Sequence, residues 1–175
     1  MRSRLYADLL GLVRAACTHA SLAERELPVL PFYVKEHVVG WLGPTFADQL
    51  RRWPHVFEVN PAFVTLRARP DTPQGRTAAM AEVTKDLAKD GVIRGWRDEP
   101  MSVSHRYAAP ELFRIERAAS RHFGLMCYAT HLNGFARKGG LAHAWIARRS
   151  ADKSIDPDKL DNLVGGRIAA GMSVD

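Results

Sequence analysis

Arg148, Arg149 and Lys153 stand where an apolar, strand-like run gives way to a loop. That loop continues through Ser150, Ser154 and Pro157 to Asp161-Asn162 and Gly165-Gly166. Guanidinium and ammonium groups beside backbone N–H groups left accessible by glycine are what a diphosphate binds. The chemistry this stretch offers is recognition of phosphoryl oxygens, and the plain alternative is a solvated surface loop.

Other chemistries find less support. The seven histidines, at 19, 37, 55, 105, 122, 131 and 143, show no His-x3-His pair and no Cys-x2-Cys accompanies them, so a zinc site is not expected. Cys127 lies in an apolar run without a nucleophile signature and reads as a buried small hydrophobe. Glu111 and Glu116 alternate with Arg114 and Arg117, which reads as ion pairing on a solvated face rather than as an acid/base couple. Arg51-Arg-Trp53 and Arg94-Gly-Trp-Arg97 offer cations beside aromatics. They read as arginines lying along partly buried tryptophans in preference to a platform for bases.

The elements that must position the cationic loop follow from periodicity and punctuation. Leu5, Leu9, Leu12, Val13 and Ala16 predict an amphipathic helix over 5–16. Residues 32–42 predict one strand ended by Gly43-Pro44, followed by a short helix over 45–53. The runs 55–60 and 63–67 around Asn60-Pro61 predict further strands of a small antiparallel sheet. Thr72 as N-cap, Pro73 at the first helical position and Gly91 at the stop frame a helix whose apolar face carries Met80, Val83 and Leu87. Pro110 to Gly124 repeats that pattern and predicts a second helix. Beyond it, Leu125–Asn133 and Leu141–Ser150 predict two strands joined through Gly139-Gly140. Gly165-Gly166 reads as a turn, and Gly171 with Ser173 as N-cap reads as a loop feeding another helix.

With 175 residues, 46% of them hydrophobic and 25% charged, the chain has an ordinary globular composition. Two cysteines cannot build a disulfide framework, no leader or membrane-spanning run is evident, and the expected setting is the cytoplasm. The net charge of +6 favours an anionic partner, either nucleic acid or a phosphorylated small molecule, unless it only solvates the surface.

Residues 166–172 resemble the start of the Nudix box of Nudix hydrolases, Gly-x5-Glu-x7-Arg-Glu-U-x-Glu-Glu-x-Gly-U with U bulky and apolar. Gly166 matches its first glycine, and Gly171 the glycine ahead of its first glutamate. Met172 stands where that glutamate belongs. The run from Arg148 to Gly166, with its Arg-Ser, Lys, Leu-Asp-Asn and Gly-Gly elements, is similar to one branch of that family, the thiamine pyrophosphokinase-related Nudix hydrolases. So are Phe113-Arg-Ile-Glu-Arg-Ala-Ala-Ser-Arg-His-Phe-Gly124 and Thr130-His-Leu-Asn-Gly134.

The resemblance implies an α+β chain. Residues 1–115 would form a small accessory domain, and 116–175 the first, incomplete part of a Nudix α/β/α sandwich with a mixed sheet. It implies hydrolysis of an organic or nucleoside diphosphate, damaged thiamine diphosphate or an oxidised guanine nucleotide, with Mg²⁺ or Mn²⁺. Arg148, Arg149, Lys153 and Asn162 would face the substrate, and Gly165 and Gly166 the metal. It further implies that the catalytic carboxylates fall beyond Asp175, so that the chain is truncated within the box and inactive by itself. The alternative is a non-catalytic basic module that holds nucleic acid or a phosphorylated metabolite, with the small molecule the expected partner.

Overall fold

The computed structural model describes residues 28–153 and 157–172. The helix expected over 5–16 and the helix start expected at Ser173 lie outside the described residues.

The first surprise is a turn. Residues 32–42 form not one strand but a hairpin of β1 (Leu30–Val34) and β2 (His37–Leu42), with Lys35 at φ 55° in the connection. Its turn residues, Lys35 and Glu36, are ordinary polar types with no glycine or proline to announce them. Gly43 then caps α1 (Pro44–Gln49), where Pro44 occupies a position whose N–H has no helical partner, and a 3-10 turn extends it over Leu50–Arg52.

β3 (Phe57–Val59) and β4 (Val64–Leu66) pair antiparallel as expected, and Asn60 Oδ1 ties their turn by accepting from the N–H groups of Ala62 and Phe63, both at 2.9 Å. The sheet is mixed, however, with order β2-β1-β4-β3 and a parallel β1/β4 pair where an all-antiparallel sheet was expected. Parallel neighbours need a long crossover, and β2, α1 and β3 together supply it.

α2 (Pro73–Lys89) is the helix its sequence announces: Thr72 Oγ1 accepts from Gly75 N–H at 3.1 Å, and Gly91 takes φ 74° just past the end. Met80, Val83 and Leu87 are buried. The segment expected to be the next helix is instead mostly strand. β6 (Phe113–Glu116) pairs antiparallel with β5 (Pro100–Val103), and only α3 (Arg117–Ser120) is α-helical. Leu112, Ile115 and Ala119 satisfy a helical period, but Phe113 and Ile115 also alternate with exposed Arg114, and the available partner strand decides between them. α2 holds this strand directly, through Arg114 N–H to Thr77 Oγ1 at 2.9 Å and Arg76 Nε to Leu112 O at 2.8 Å.

One continuous core runs from β1 to Leu125. Phe123 is its hub, with ring centroids 5.0 Å from Phe46, 5.7 Å from Phe32 and 6.2 Å from Phe57. Beyond it lie three two-stranded ladders: β7 (Ala129–Leu132) with β12 (Val164–Arg167), β8 (Phe135–Lys138) with β9 (Leu141–Ala144), and β10 (Ala147–Arg148) with β11 (Leu160–Asp161). The hairpin through Gly139-Gly140 is present, with both glycines at positive φ, but its strands are β8 and β9, whereas residues 129–132 pair with β12. The architecture is α+β, as expected, but the mixed sheet belongs to the first part of the chain, and the described ladders beyond Leu125 are all antiparallel where a mixed sheet was expected over 116–175. No helix among the described residues is long and apolar enough to cross a membrane.

Candidate functional site

The cationic loop is built on the β10/β11 ladder, which sets Ala147 opposite Asp161 and Arg148 opposite Leu160. This register hands Arg149 a local acid: its Nη1 donates to Asp161 Oδ2 at 2.5 Å. That hydrogen bond, followed by one from Asn162 N–H, holds the Asp161 carboxyl below the usual carboxylate range. Arg148 Nε reaches Asp158, 3.3 Å from its carbonyl and 3.4 Å from its carboxylate. Lys153 is exposed and follows a turn closed by its own N–H to Ser150 O at 3.2 Å. Arg148 and Arg149 thus already engage carboxylates of their own ladder, so an anionic ligand would have to compete with Asp158 and Asp161 for them.

Asn162 points its amide elsewhere. Its Nδ2 donates to Asn133 Oδ1 at 2.6 Å, and its Oδ1 lies 2.9 Å from His131 Nδ1. An amide has one acceptor oxygen, so His131 donates from Nδ1 and the second nitrogen of a neutral ring, Nε2, is left as an acceptor. The result is one connected set of polar groups, Arg149–Asp161–Asn162–His131/Asn133, spanning two ladders. In the sequence His131 and Asn133 stand only within the resemblance of residues 130–134, with no role in a site assigned to either. Their two-residue spacing, which sets both on one side of an extended segment, was the physical signal that could have paired them.

Gly165 and Gly166 lie inside β12, facing His131 and Thr130 of β7, and not in the turn expected of a Gly-Gly pair. The neighbouring strand explains both the conformation and one of the glycines. A Cβ on Gly165 would sit 3.0 Å from His131 Nδ1, so glycine leaves room for the imidazole, whereas Gly166 meets nothing. Among the described residues β12 pairs with β7 alone. Successive strand residues direct their N–H and C=O groups to opposite edges, so one of the two glycine carbonyls faces the open edge.

A single carbonyl is one ligand, and a hard divalent cation takes about six oxygens. Among the described residues no group of three or more His, Cys, Asp or Glu side chains could complete such a site. These residues alone do not fit a magnesium or manganese centre.

A family model described as Domain of unknown function (DUF4743) matches residues 9–127. The chain belongs to this family. The DUF4743 match ends two residues after Leu125, the last residue of the continuous core. The similarity to whole proteins extends further. The chain is 41% identical over 147 residues to "Nudix hydrolase 24, chloroplastic" of Arabidopsis thaliana, covering 83% of this chain and 40% of that protein. It is 35% identical over 153 residues to "Nudix hydrolase 20, chloroplastic" of the same plant, covering 82% and 41%. It is also 33% identical over 78 residues to "Uncharacterized protein YJR142W" of Saccharomyces cerevisiae, covering 43% and 22%. The chain therefore spans about two fifths of the length of the two plant relatives.

Proposed function

We propose that the chain is the amino-terminal portion of a Nudix-type hydrolase that cleaves a phosphoanhydride of an organic or nucleoside diphosphate, with the DUF4743 part as its accessory module. The observation that carries this reading is the 41% identity to a protein named Nudix hydrolase, over 83% of the chain. The Gly165-Gly166 strand, running on to Gly171 and Met172 like the opening of a Nudix box, agrees with it. In this reading Mg²⁺ or Mn²⁺ takes a glycine carbonyl of β12, and its remaining oxygens come from carboxylates outside the described residues. The metal would neutralise the diphosphate and activate water. Damaged thiamine diphosphate and oxidised guanine nucleotides are the proposed substrates. Arg148, Arg149, Lys153 and Asn162 would meet their phosphates once Asp158 and Asp161 are displaced.

The accessory division expected at 115/116 falls inside β6, whose Phe113 and Ile115 share a core with Ala119 and Phe123. We place the module boundary after Leu125 on that ground.

The test is phosphate or monophosphate release from a panel of organic diphosphates with Mg²⁺, measured on the longer parental polypeptide and on residues 1–175. Turnover by the parent and none by the 175-residue chain is expected. Turnover by the short chain, or none by a folded parent, would overturn the proposal. Met172, in place of the box glutamate, favours a second reading, a non-catalytic binding module. Saturable metabolite binding by a parent that hydrolyses nothing would support it.

A further inference from the structure

A second cationic feature lies away from the β10/β11 loop. Arg94, Arg97, Arg117 and Arg121 of the DUF4743 part, with Arg167 at the end of β12, line one open cavity of about 350 Å³. They come from three separate stretches: the connection before β5, the α3 region, and the residue following the glycine pair.

The scaffold that gathers them is specific. Glu116 is buried, and its carboxylate accepts from Arg97 N–H and Glu99 N–H, both at 3.0 Å, and from Ala118 N–H at 3.1 Å, clamping the loop that carries Arg97 onto the start of α3. Ala170 N–H donates to Pro100 O at 2.9 Å, fixing the end of β12 against β5. Arg167 Nη1 then donates to Ser120 Oγ at 3.0 Å.

Charge around the cavity is unbalanced. Arg117 Nη1 holds both Glu99 oxygens, at 2.8 and 2.7 Å, and Arg94 Nε is spent on Gly91 O at 3.1 Å. Neither Arg97 nor Arg121 has a carboxylate partner among the described residues. Guanidinium groups held together repel one another, and their planar forks match phosphoryl oxygens in a two-bond geometry. The volume is at the small end of the roughly 300–1,000 Å³ range of small-molecule sites, which fits a compact anion better than a polymer strand.

We propose that this cavity is a binding site for the diphosphate group of a small molecule, assembled jointly by the DUF4743 part and Arg167. It does not depend on the hydrolase reading, because it concerns binding without metal or turnover. The side of the cavity distant from Arg167 belongs wholly to the DUF4743 part, so this module would act in ligand recognition rather than only as a support.

Isothermal titration of the 175-residue chain with inorganic pyrophosphate and with adenosine diphosphate, in chelator and at constant ionic strength, tests it. Saturable one-to-one binding by either probe is expected. Pyrophosphate binding more tightly would identify the free ion as the better ligand, and adenosine diphosphate binding more tightly an organic diphosphate; both outcomes support the site. The Arg97→Gln/Arg121→Gln double variant should weaken binding about tenfold or more, through loss of two charge-assisted contacts. Glu99→Gln should strengthen it, because it removes the carboxylate that competes for Arg117. Arg51→Gln, remote from the cavity, should change nothing. Absence of saturable binding, or a double variant that binds as tightly as the parent sequence, would overturn the proposal. So would a single-stranded oligonucleotide that binds more tightly than either probe with a steep salt dependence.

Discussion

His122 lies against Phe46, ring centroids 5.7 Å apart, and its Nε2 is buried without a hydrogen-bond partner among the described residues. Burial first, and the Arg121 charge second, lower its pKa below the ordinary histidine value. The native state therefore resists a proton that the unfolded chain accepts. Stability should be level above about pH 6.5, the unfolded value, and should fall as the pH drops below it. Urea midpoints measured across this range should show that fall, and His122→Gln should flatten it. His105, stacked on His37 at 4.0 Å, is lowered in the same direction, by desolvation and then by His37, so the slope remaining in His122→Gln just below about pH 6.5 should shrink further when His105 is also replaced. Glu116 makes a different prediction. Its carboxylate serves three N–H groups, so Glu116→Ala should cost about 3 kcal/mol in urea unfolding, and Glu116→Gln less, since it keeps one acceptor oxygen.

Among the elements, α2 owes its start to Thr72, and Thr72→Ala should lower unfolding free energy by about 1 kcal/mol. A larger effect is expected where β2 meets the turn after α3. A Cβ on Gly40 would lie 2.3 Å from Phe123 O, and one on Gly124 would lie 2.0 Å from Trp41 O at a φ of +55°, so each strand of backbone touches the other where its partner has no side chain. Alanine at either site should destabilise by about 3 kcal/mol or more, read as loss of the cooperative urea transition or of soluble yield. These contacts also show what the sequence reveals and what it hides. α2 was legible because Thr72, Pro73 and Gly91 are local signals. β6 was not, because its helical and strand readings differ only in whether β5 lies alongside, a relation between residues about a dozen apart. Gly165-Gly166 read as a turn for the same reason: the strand partner β7 is distant in sequence, and only His131 across that ladder explains a glycine at 165. For the candidate sites, the basic loop at 148–153 and the glycine pair were visible as residue types, whereas the His131/Asn133 partners of Asn162 were not. Arg94 and Arg97 were visible as cations beside Trp96, but their place in the cavity depends on Arg117, Arg121 and Arg167 from distant segments, which no local pattern brings together.

Across the molecule, burial is unequally shared. Among the described residues the buried hydrophobic ones all lie between Phe32 and Leu125, while Phe135, Leu141, Trp145, Ile146 and Val164 are all at least 60% exposed. Few buried apolar contacts mean low local unfolding free energy. Limited trypsin digestion should therefore cut first at Arg137, Lys138 and Arg148 and leave a resistant fragment ending at Arg137, because no Lys or Arg lies between Arg121 and Arg137, as mass spectrometry would show. Early cuts within α2 would contradict this. Yet the two parts are not free of one another, because the chain returns after β12 to lay Ala170 on Pro100 and Arg167 on Ser120. The consequence concerns inheritance. A chimaera that joined an unrelated amino-terminal module to this chain at residue 127 would strand the Ala170 N–H and the Arg167 guanidinium without their acceptors, so the two segments are expected to have been passed on as one unit and not shuffled as cassettes.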